Sequence, residues 1–272
     1  MDILQLQRKA AELRADVLTM ITNAGSGHPG GSLSMMEIIV ALFYRQMKID
    51  PENPSAEGRD RFVLSKGHAA PALYAVLADK GFIDKREIEN FRQLGSCLQG
   101  HPDKKKTPGI DASTGSLGQG VAIAGGMALG AKRSGNDCQI YTVVGDGELQ
   151  EGLVWEAAMA AVHYKLDNLT VIVDNNGLQI DGRNDEVMSL GSIPEKYRAF
   201  GFKVFEIDGH DFEQILGALA AVVFNKPKCI VAHTVKGKGV SFMEDKVEWH
   251  GKSPSSEQLQ QALKELIRDT DK

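Results

Sequence analysis

The chain has 272 residues, 42% of them hydrophobic and 25% charged, with a formal net charge of −5. That length allows a substantial core, and the composition is that of an ordinary soluble globular protein rather than a disordered or fibrous one. An acidic balance leaves no electrostatic footprint for nucleic acid, so the receptors for an anionic substrate must be local or lie on another chain.

The opening stretch MDILQLQRKAAELRADVLTM scatters charges through its length and is not a signal peptide. It reads as a helix over 3–23, followed by a second over 34–46. A short β-branched run at 61–64 (RFVL) reads as a strand, followed by helices over 69–80 and 117–132. The most apolar stretch, VAIAGGMALGA at 121–131, is too short to span a bilayer, and a cytoplasmic protein is expected. Next come a strand at 139–144 (QIYTVV), a helix over 151–164 and a strand at 169–173 (LTVIV). A strand at 203–207 (KVFEI), a helix over 212–223 and a strand at 228–232 (KCIVA) follow, and the tail 254–272 reads as a surface helix that packs back. Each strand reads as buried on both faces. The alternation predicts an α/β fold, a mostly parallel sheet with helices on both faces, forming one domain over 1–272. Ligands of such sheets bind outside the carboxyl ends of the strands. Cys97, Cys138 and Cys229 form no CxxC and are expected to be buried free thiols in a reducing compartment.

The strand QIYTVV runs directly into Gly145-Asp146-Gly147, and the strand LTVIVD into Asn175-Asn176. One βαβ unit therefore presents a carboxylate and an amide from two neighbouring strand ends. The glycines let backbone approach a phosphate, and the following helix offers unpaired N–H groups. A carboxylate, an amide oxygen and a backbone carbonyl suit Mg²⁺, a hard octahedral cation that often shares its ligands with a diphosphate.

GDG followed by NN at this distance resembles the diphosphate-binding motif of thiamine-diphosphate enzymes. The resemblance implies that Asp146, Asn176 and the carbonyl of Leu178 ligate Mg²⁺ and that Gly147 contacts the diphosphate. Further motifs resemble transketolase, in that family's chain order. They are Ser26-Gly27-His28-Pro29-Gly30-Gly31, Ser65-Lys66-Gly67-His68-Ala69, Gly100-His101-Pro102, Thr114-Gly115-Ser116-Leu117-Gly118-Gln119-Gly120 and Trp249-His250-Gly251. Imidazoles can donate to sugar hydroxyls and exchange protons near neutral pH. By the resemblance, His28, His101 and His250 line the substrate channel, and His68 and His250 approach the diphosphate. Gly115, Ser116 and Leu117 would pass beside the cofactor rings. The activity implied is transfer of a two-carbon ketol unit from a ketose to an aldose, with pentose-phosphate sugars the default substrates.

Lys236 and Lys238 in VKGKG are candidates for phosphate contact, against solvated loop lysines at even weight. His163 reads as a packing histidine, and His210 and His233 as structural. Glu151 and Glu156 read as exposed helix charges, in a region that the family places near a contact between chains. Ser116, where many long transketolases carry proline, and Glu248-Trp249 resemble separately encoded N-terminal subunits. In the family, a glutamate facing the cofactor's pyrimidine ring lies on a second, pyrimidine-binding domain, and no glutamate here matches it. The expected partners are therefore a C-terminal transketolase subunit on a separate chain and a second copy of this one. Deoxyxylulose-phosphate synthase and the α subunit of 2-oxoacid dehydrogenases share GDG…N but not HPGG, SKGHA and WHG together. A nicotinamide enzyme is disfavoured because no GxGxxG follows the first strand. Intact Asp146, Asn176 and histidines weigh against a non-catalytic scaffold.

Overall fold

The computed structural model describes residues 1–270. The chain opens with α1 (Ile3–Ala24), started by an Asp2–Gln5 capping box and stopped by Gly25 in the left-handed conformation. Then come α2 (Pro29–Ser34) and α3 (Met36–Ala41), the latter widening into a π turn over Leu42–Gln46. Next in order are β1 (Arg61–Leu64), α4 (Ala70–Asp79), α5 (Gln119–Arg133), β2 (Ile140–Gly145) and α6 (Gly152–His163). They are followed by β3 (Leu169–Asn175), a hairpin of β4 (Leu178–Gln179) and β5 (Gly182–Arg183), and the single turn α7 (Asn184–Val187). The chain then forms α8 (Ile193–Phe200), β6 (Lys203–Asp208), α9 (Phe212–Ala220), β7 (Lys228–His233) and α10 (Ser256–Thr270).

Five strands form one parallel sheet in the order β1-β2-β3-β7-β6. Alternate residues serve opposite faces, which is why the central strands read as unbroken apolar runs. Tyr141, Val143, Ile172 and Ile230 join one core with α1, α3, α4, α9 and α10. Val144, Val171, Val173, Cys229 and Val231 join the other, with α5, α6 and α8. Buried Glu37 on α3 takes both outer nitrogens of the Arg14 guanidinium at 2.7 and 2.6 Å, and His210 Nδ1 at 2.9 Å. One carboxylate thus ties α1, α3 and the start of α9 together.

Several expected boundaries moved for identifiable reasons. The helix expected over 34–46 begins at Pro29, breaks at Met35 and ends in the π turn. The run MMEIIVALF is buried all round, so no periodicity marks the break. The helix expected to reach 223 stops at Ala220, where Lys228 Nζ donates to the carbonyls of Leu219 (2.7 Å) and Ala221 (3.1 Å). The strand at 203–207 is an edge strand with Lys203, Glu206 and Asp208 exposed, not buried on both faces. Helix α8 was not anticipated, although Ser192 caps it, Pro194 lies in its first turn and left-handed Gly201 ends it. Its 8 residues are simply short. The tail helix packs on α1 through Leu259, Ala262 and Leu266, and residues 271–272 of that expectation lie outside the described residues. Cys138 and Cys229 are buried as expected, but Cys97 is only half-buried. No described helix is long and apolar enough to cross a membrane.

Candidate active site

Because the sheet is parallel, the turns after β1, β2, β3 and β7 share one edge. Gly145 sits beside Asp174, and Asn175 beside His233. A cleft of about 430 Å³ opens there. Its lining holds His28, His68, His101 and His250, with Gly115, Leu117, Asp146, Gly147, Asn176 and Leu178. Motifs as far apart in sequence as those of His28 and His250 therefore meet at one place. Ser116 is exposed and does not line the cleft.

The floor is a buried ionic network. Lys66, 1% exposed, pairs with fully buried Asp174 at 2.5 Å and donates 2.6 Å to the Gly31 carbonyl. Asp174 also accepts from Ser34 Oγ (2.6 Å), Asn176 Nδ2 (3.2 Å) and Thr234 Oγ1. Burial alone would raise this carboxyl, but the Lys66 ammonium and the hydroxyl donors hold it below the usual carboxylate range. Asp174 thereby fixes the ends of α2, β1, β3 and β7 in relation to one another. Lys66 lies within the motif at 65–69 and Asp174 directly before Asn175-Asn176, yet the sequence alone marks neither for this role.

Asp146 is 2% exposed. Its carboxylate accepts from Gly147 N–H at 2.8 Å and Gly177 N–H at 2.5 Å. Burial, reinforced by the negative charge of Asp174, raises its pKa. A carboxylate held ionised there calls for a cation. The amide oxygen of Asn176 accepts from Leu178 N–H at 3.2 Å, and the Leu178 carbonyl faces the ammonium of Lys236 at 3.0 Å. One carboxylate, one amide and one carbonyl lining the same cleft, the carbonyl already drawing an ammonium, are donor types that suit a hard divalent cation. Among the described residues, no three His, Cys, Asp or Glu side chains cluster as a metal centre, so these mixed oxygen donors are the arrangement available.

Lys236 is 2% exposed and also meets His250 Nδ1 at 2.9 Å. Burial, then the charge of Lys66, pushes its ammonium down to about 8 against the pull of Asp146 and Asp174. Lys238 turns away toward Glu244 at 3.5 Å and does not line the cleft. Of the two candidate lysines, the structure brings only Lys236 to the site.

The rings of His28, His68 and His250 lie 5.2–5.6 Å apart, centre to centre. Burial, then the charges of Arg92, His101 and Lys236, lowers His28 to about 4. Burial and Lys236 lower His250 to about 3, and burial and Lys66 take His68 well below its usual value. His101 is lowered by burial and Arg92. Each of these shifts favours the neutral ring, which has one donor and one acceptor. His28 Nδ1 is buried without a hydrogen-bond partner. His101 lies against Gly115, where a Cβ would fall 2.8 Å from the ring; with φ at 141°, only glycine suits that position.

Glu148, unassigned from the sequence, accepts from Ser65 Oγ, Gly118 N–H and Gly145 N–H at 2.5–3.1 Å, locking the 115–118 loop to the ends of β1 and β2. Glu151 reaches the rim of the cleft, whereas Glu156 is exposed on α6. His163 is exposed beside Tyr164 rather than packed in the core. His210 and His233 hydrogen-bond to Glu37 and Asn175, outside the cleft.

A parallel α/β sheet with a cleft at its carboxyl edge, lined by Asp146, Asn176 and two buried lysines, is the architecture of the thiamine-diphosphate-binding domains of transketolases. The chain belongs to the transketolase family: residues 6–271 match the family described as "Transketolase, thiamine diphosphate binding domain". It is 44% identical over 268 residues to the 6-deoxy-6-sulfo-D-fructose transketolase subunit SqwG of Clostridium sp., covering 98% of each chain. It is 40% identical over 274 residues to an apulose-4-phosphate transketolase subunit of Phocaeicola vulgatus, covering 100% of this chain and 97% of that one. Human transketolase is 41% identical over 265 residues, which is 96% of this chain but 42% of the human protein. The crystal structure of Campylobacter jejuni transketolase superposes with a TM-score of 0.93 at 38% identity, covering all of this chain and 44% of that one. The chain thus spans nearly the full length of the relatives that are themselves subunits, and less than half of the long transketolases.

Proposed function

We propose that this chain is the cofactor-binding subunit of a two-chain transketolase, moving a two-carbon ketol unit from a ketose to an aldose. The observation carrying this reading is the cleft itself, which Asp146, Asn176 and Leu178 line together with Lys66, Lys236 and four histidines at one sheet edge. Thiamine diphosphate, when bound, supplies the nucleophilic carbon and the electron sink that ketol transfer requires.

The chain's own residues bind, orient and move protons. Asp146, Asn176 and the Leu178 carbonyl would hold Mg²⁺, with Lys236 giving up its hydrogen bond to that carbonyl as the cation arrives. Gly147, His68 and the two buried ammoniums would receive the diphosphate, their charge worth more in a site closed to water. Gly115 and Leu117 would flank the rings. His28, His101 and His250, uncharged and each able to donate and accept, suit sugar hydroxyls and the reacting oxygen atoms. The unpaired Nδ1 of His28 is consistent with a position awaiting a substrate hydroxyl.

The family relation supports a partner chain that carries the C-terminal half, with two copies of each chain around a twofold axis. Residues 1–272 act as one diphosphate-binding domain in this reading, in the cytoplasm. Both of the shorter relatives carry names with anionic sugars, which supports a phosphorylated or sulfonated ketose as donor; pentose phosphates remain the first substrates to assay. The experiment is a donor–acceptor panel on the chain mixed with its partner, with Mg²⁺ and thiamine diphosphate. Ketol transfer to any aldose phosphate sustains the proposal, and its absence across the panel, with cofactor bound, refutes it.

A further inference from the structure

Asn184 opens the short turn α7 and is 9% exposed. Its backbone N–H donates 2.9 Å to the Gly177 carbonyl, in the turn that follows Asn176. Its side-chain amide donates to the Asp146 carboxylate, alongside the N–H groups of Gly147 and Gly177. The other end of that amide, Oδ1, is buried and has no hydrogen-bond partner. It points toward Gly147: a Cβ built on that glycine would fall 3.6 Å from Asn184 Oδ1 and 3.2 Å from Gln179 Oε1.

A buried amide oxygen left without a hydrogen bond is destabilising, so its place beside Asp146 calls for a partner that is bound in use. That partner must donate. A diphosphate presents acceptor oxygens, which an amide oxygen repels. The neighbouring ammoniums are engaged elsewhere, Lys66 with Gly31 and Asp174, and Lys236, once the cation takes the Leu178 carbonyl, with His250 and the diphosphate. The donor class left at this place is water held on a divalent cation, since Mg²⁺ keeps several waters when few protein oxygens reach it.

We propose that Asn184 is an outer-sphere partner of the cation, its amide N–H orienting the Asp146 carboxylate and its amide oxygen accepting a hydrogen bond from cation-bound water. The inference rests on reading Asp146, Asn176 and Leu178 as the cation's ligands. Asn184 is then a positioning residue, acting on the metal through Asp146 and a water molecule rather than by direct contact. Such outer-shell partners typically tune metal affinity by 10–100-fold.

The test uses the full chain with its C-terminal partner chain, saturated with thiamine diphosphate, and Mn²⁺ as probe. Free Mn²⁺ is read by electron paramagnetic resonance, and the melting temperature is measured on protein without metal or cofactor. Asn184→Leu keeps the volume and removes both hydrogen-bonding ends; Asn184→Ala serves if the leucine variant does not fold. The expected result is a 10–100-fold weaker Mn²⁺ dissociation constant, with an unchanged or higher melting temperature in the metal-free protein. Wild-type Mn²⁺ affinity in the variant would overturn the inference, whether or not the melting temperature falls; a fall would assign Asn184 a purely structural role. Asp146→Ala is run in parallel: if it too binds Mn²⁺ as wild type does, the cation site itself has been misread, a failure distinct from that of Asn184 alone.

Discussion

Asp146 is the single carboxylate among the three expected cation ligands, which makes its removal the sharpest test of the site. Asp146→Ala should abolish Mg²⁺-dependent binding of thiamine diphosphate in calorimetry, and Asn176→Ala should weaken it; normal binding by the alanine variant at 146 would remove the assignment. His28 and His101 face the cleft without reaching Asp146 or its turn. Alanine at either should lower kcat by about 10²-fold or more while leaving cofactor affinity nearly unchanged, as expected for groups acting in the transition state. His250, in contact with Lys236, should affect both quantities. The burial of these rings gives a direct physical check. In cofactor-free protein, His28 and His250 carry folded pKa values of about 4 and 3, against an ordinary 6.5. They stay neutral as pH falls through 6 and protonate only near those lower values. Histidine NMR titrations should show both below 5, and a midpoint near 6.5 for either would mean an open, hydrated site.

Elements carry the second layer of the account, because the site exists only where four strand ends are held in register. Gly120 lets α5 seat directly on the end of β1: a Cβ there would lie 2.5 Å from Ser65 Cα. Gly120→Ala should cost about 1–3 kcal/mol by overpacking and, by displacing Ser65 and the Glu148 contacts, weaken cofactor binding as well. Glu37 is the corresponding tie on the opposite face. Burial would raise its carboxyl, but Arg14 and His210 hold it at about 2, below its ordinary 4.5. A depressed carboxyl stabilises the fold above its unfolded pKa and loses that contribution as pH falls through the folded one. Between pH 4.5 and 2 the protein should therefore shed about 3 kcal/mol from this group, and Glu37→Gln should be destabilised at pH 7 with a flatter acid limb in chemical denaturation. The strands were legible because each is an apolar run ending in a glycine- or histidine-bearing turn, such as QIYTVV before GDG. The helix over the buried run from Met35 to Phe43 was legible too, but its break at Met35 and its π turn were not, since a helix wetted on no side has no period to read. The four histidines and Asp146 could be found from motifs written locally in the chain. Lys66–Asp174 and Asn184–Asp146 could not: each pair is a contact between distant segments, and nothing in the residues around Asn184 marks it.

At the scale of the whole molecule, the cleft lies along the carboxyl edge of one sheet, completed by the loops that carry His28, His101, Leu117 and His250, and exposed Ile180 with the half-exposed Leu117 gives part of its lining an apolar surface. Beyond the rim, α5 and α6 pack on each other and expose Ile123 and Met159, apolar area of the kind that contacts between chains cover. In this account the second wall, with the group that meets the far side of the cofactor, comes from the C-terminal partner chain through a large obligate interface. The most direct test is to purify this chain alone, saturate it with Mg²⁺ and thiamine diphosphate, assay ketol transfer, and then add the C-terminal partner. The chain alone should bind cofactor without turnover, with activity appearing on mixing; full activity from the chain by itself would contradict a site completed by a partner.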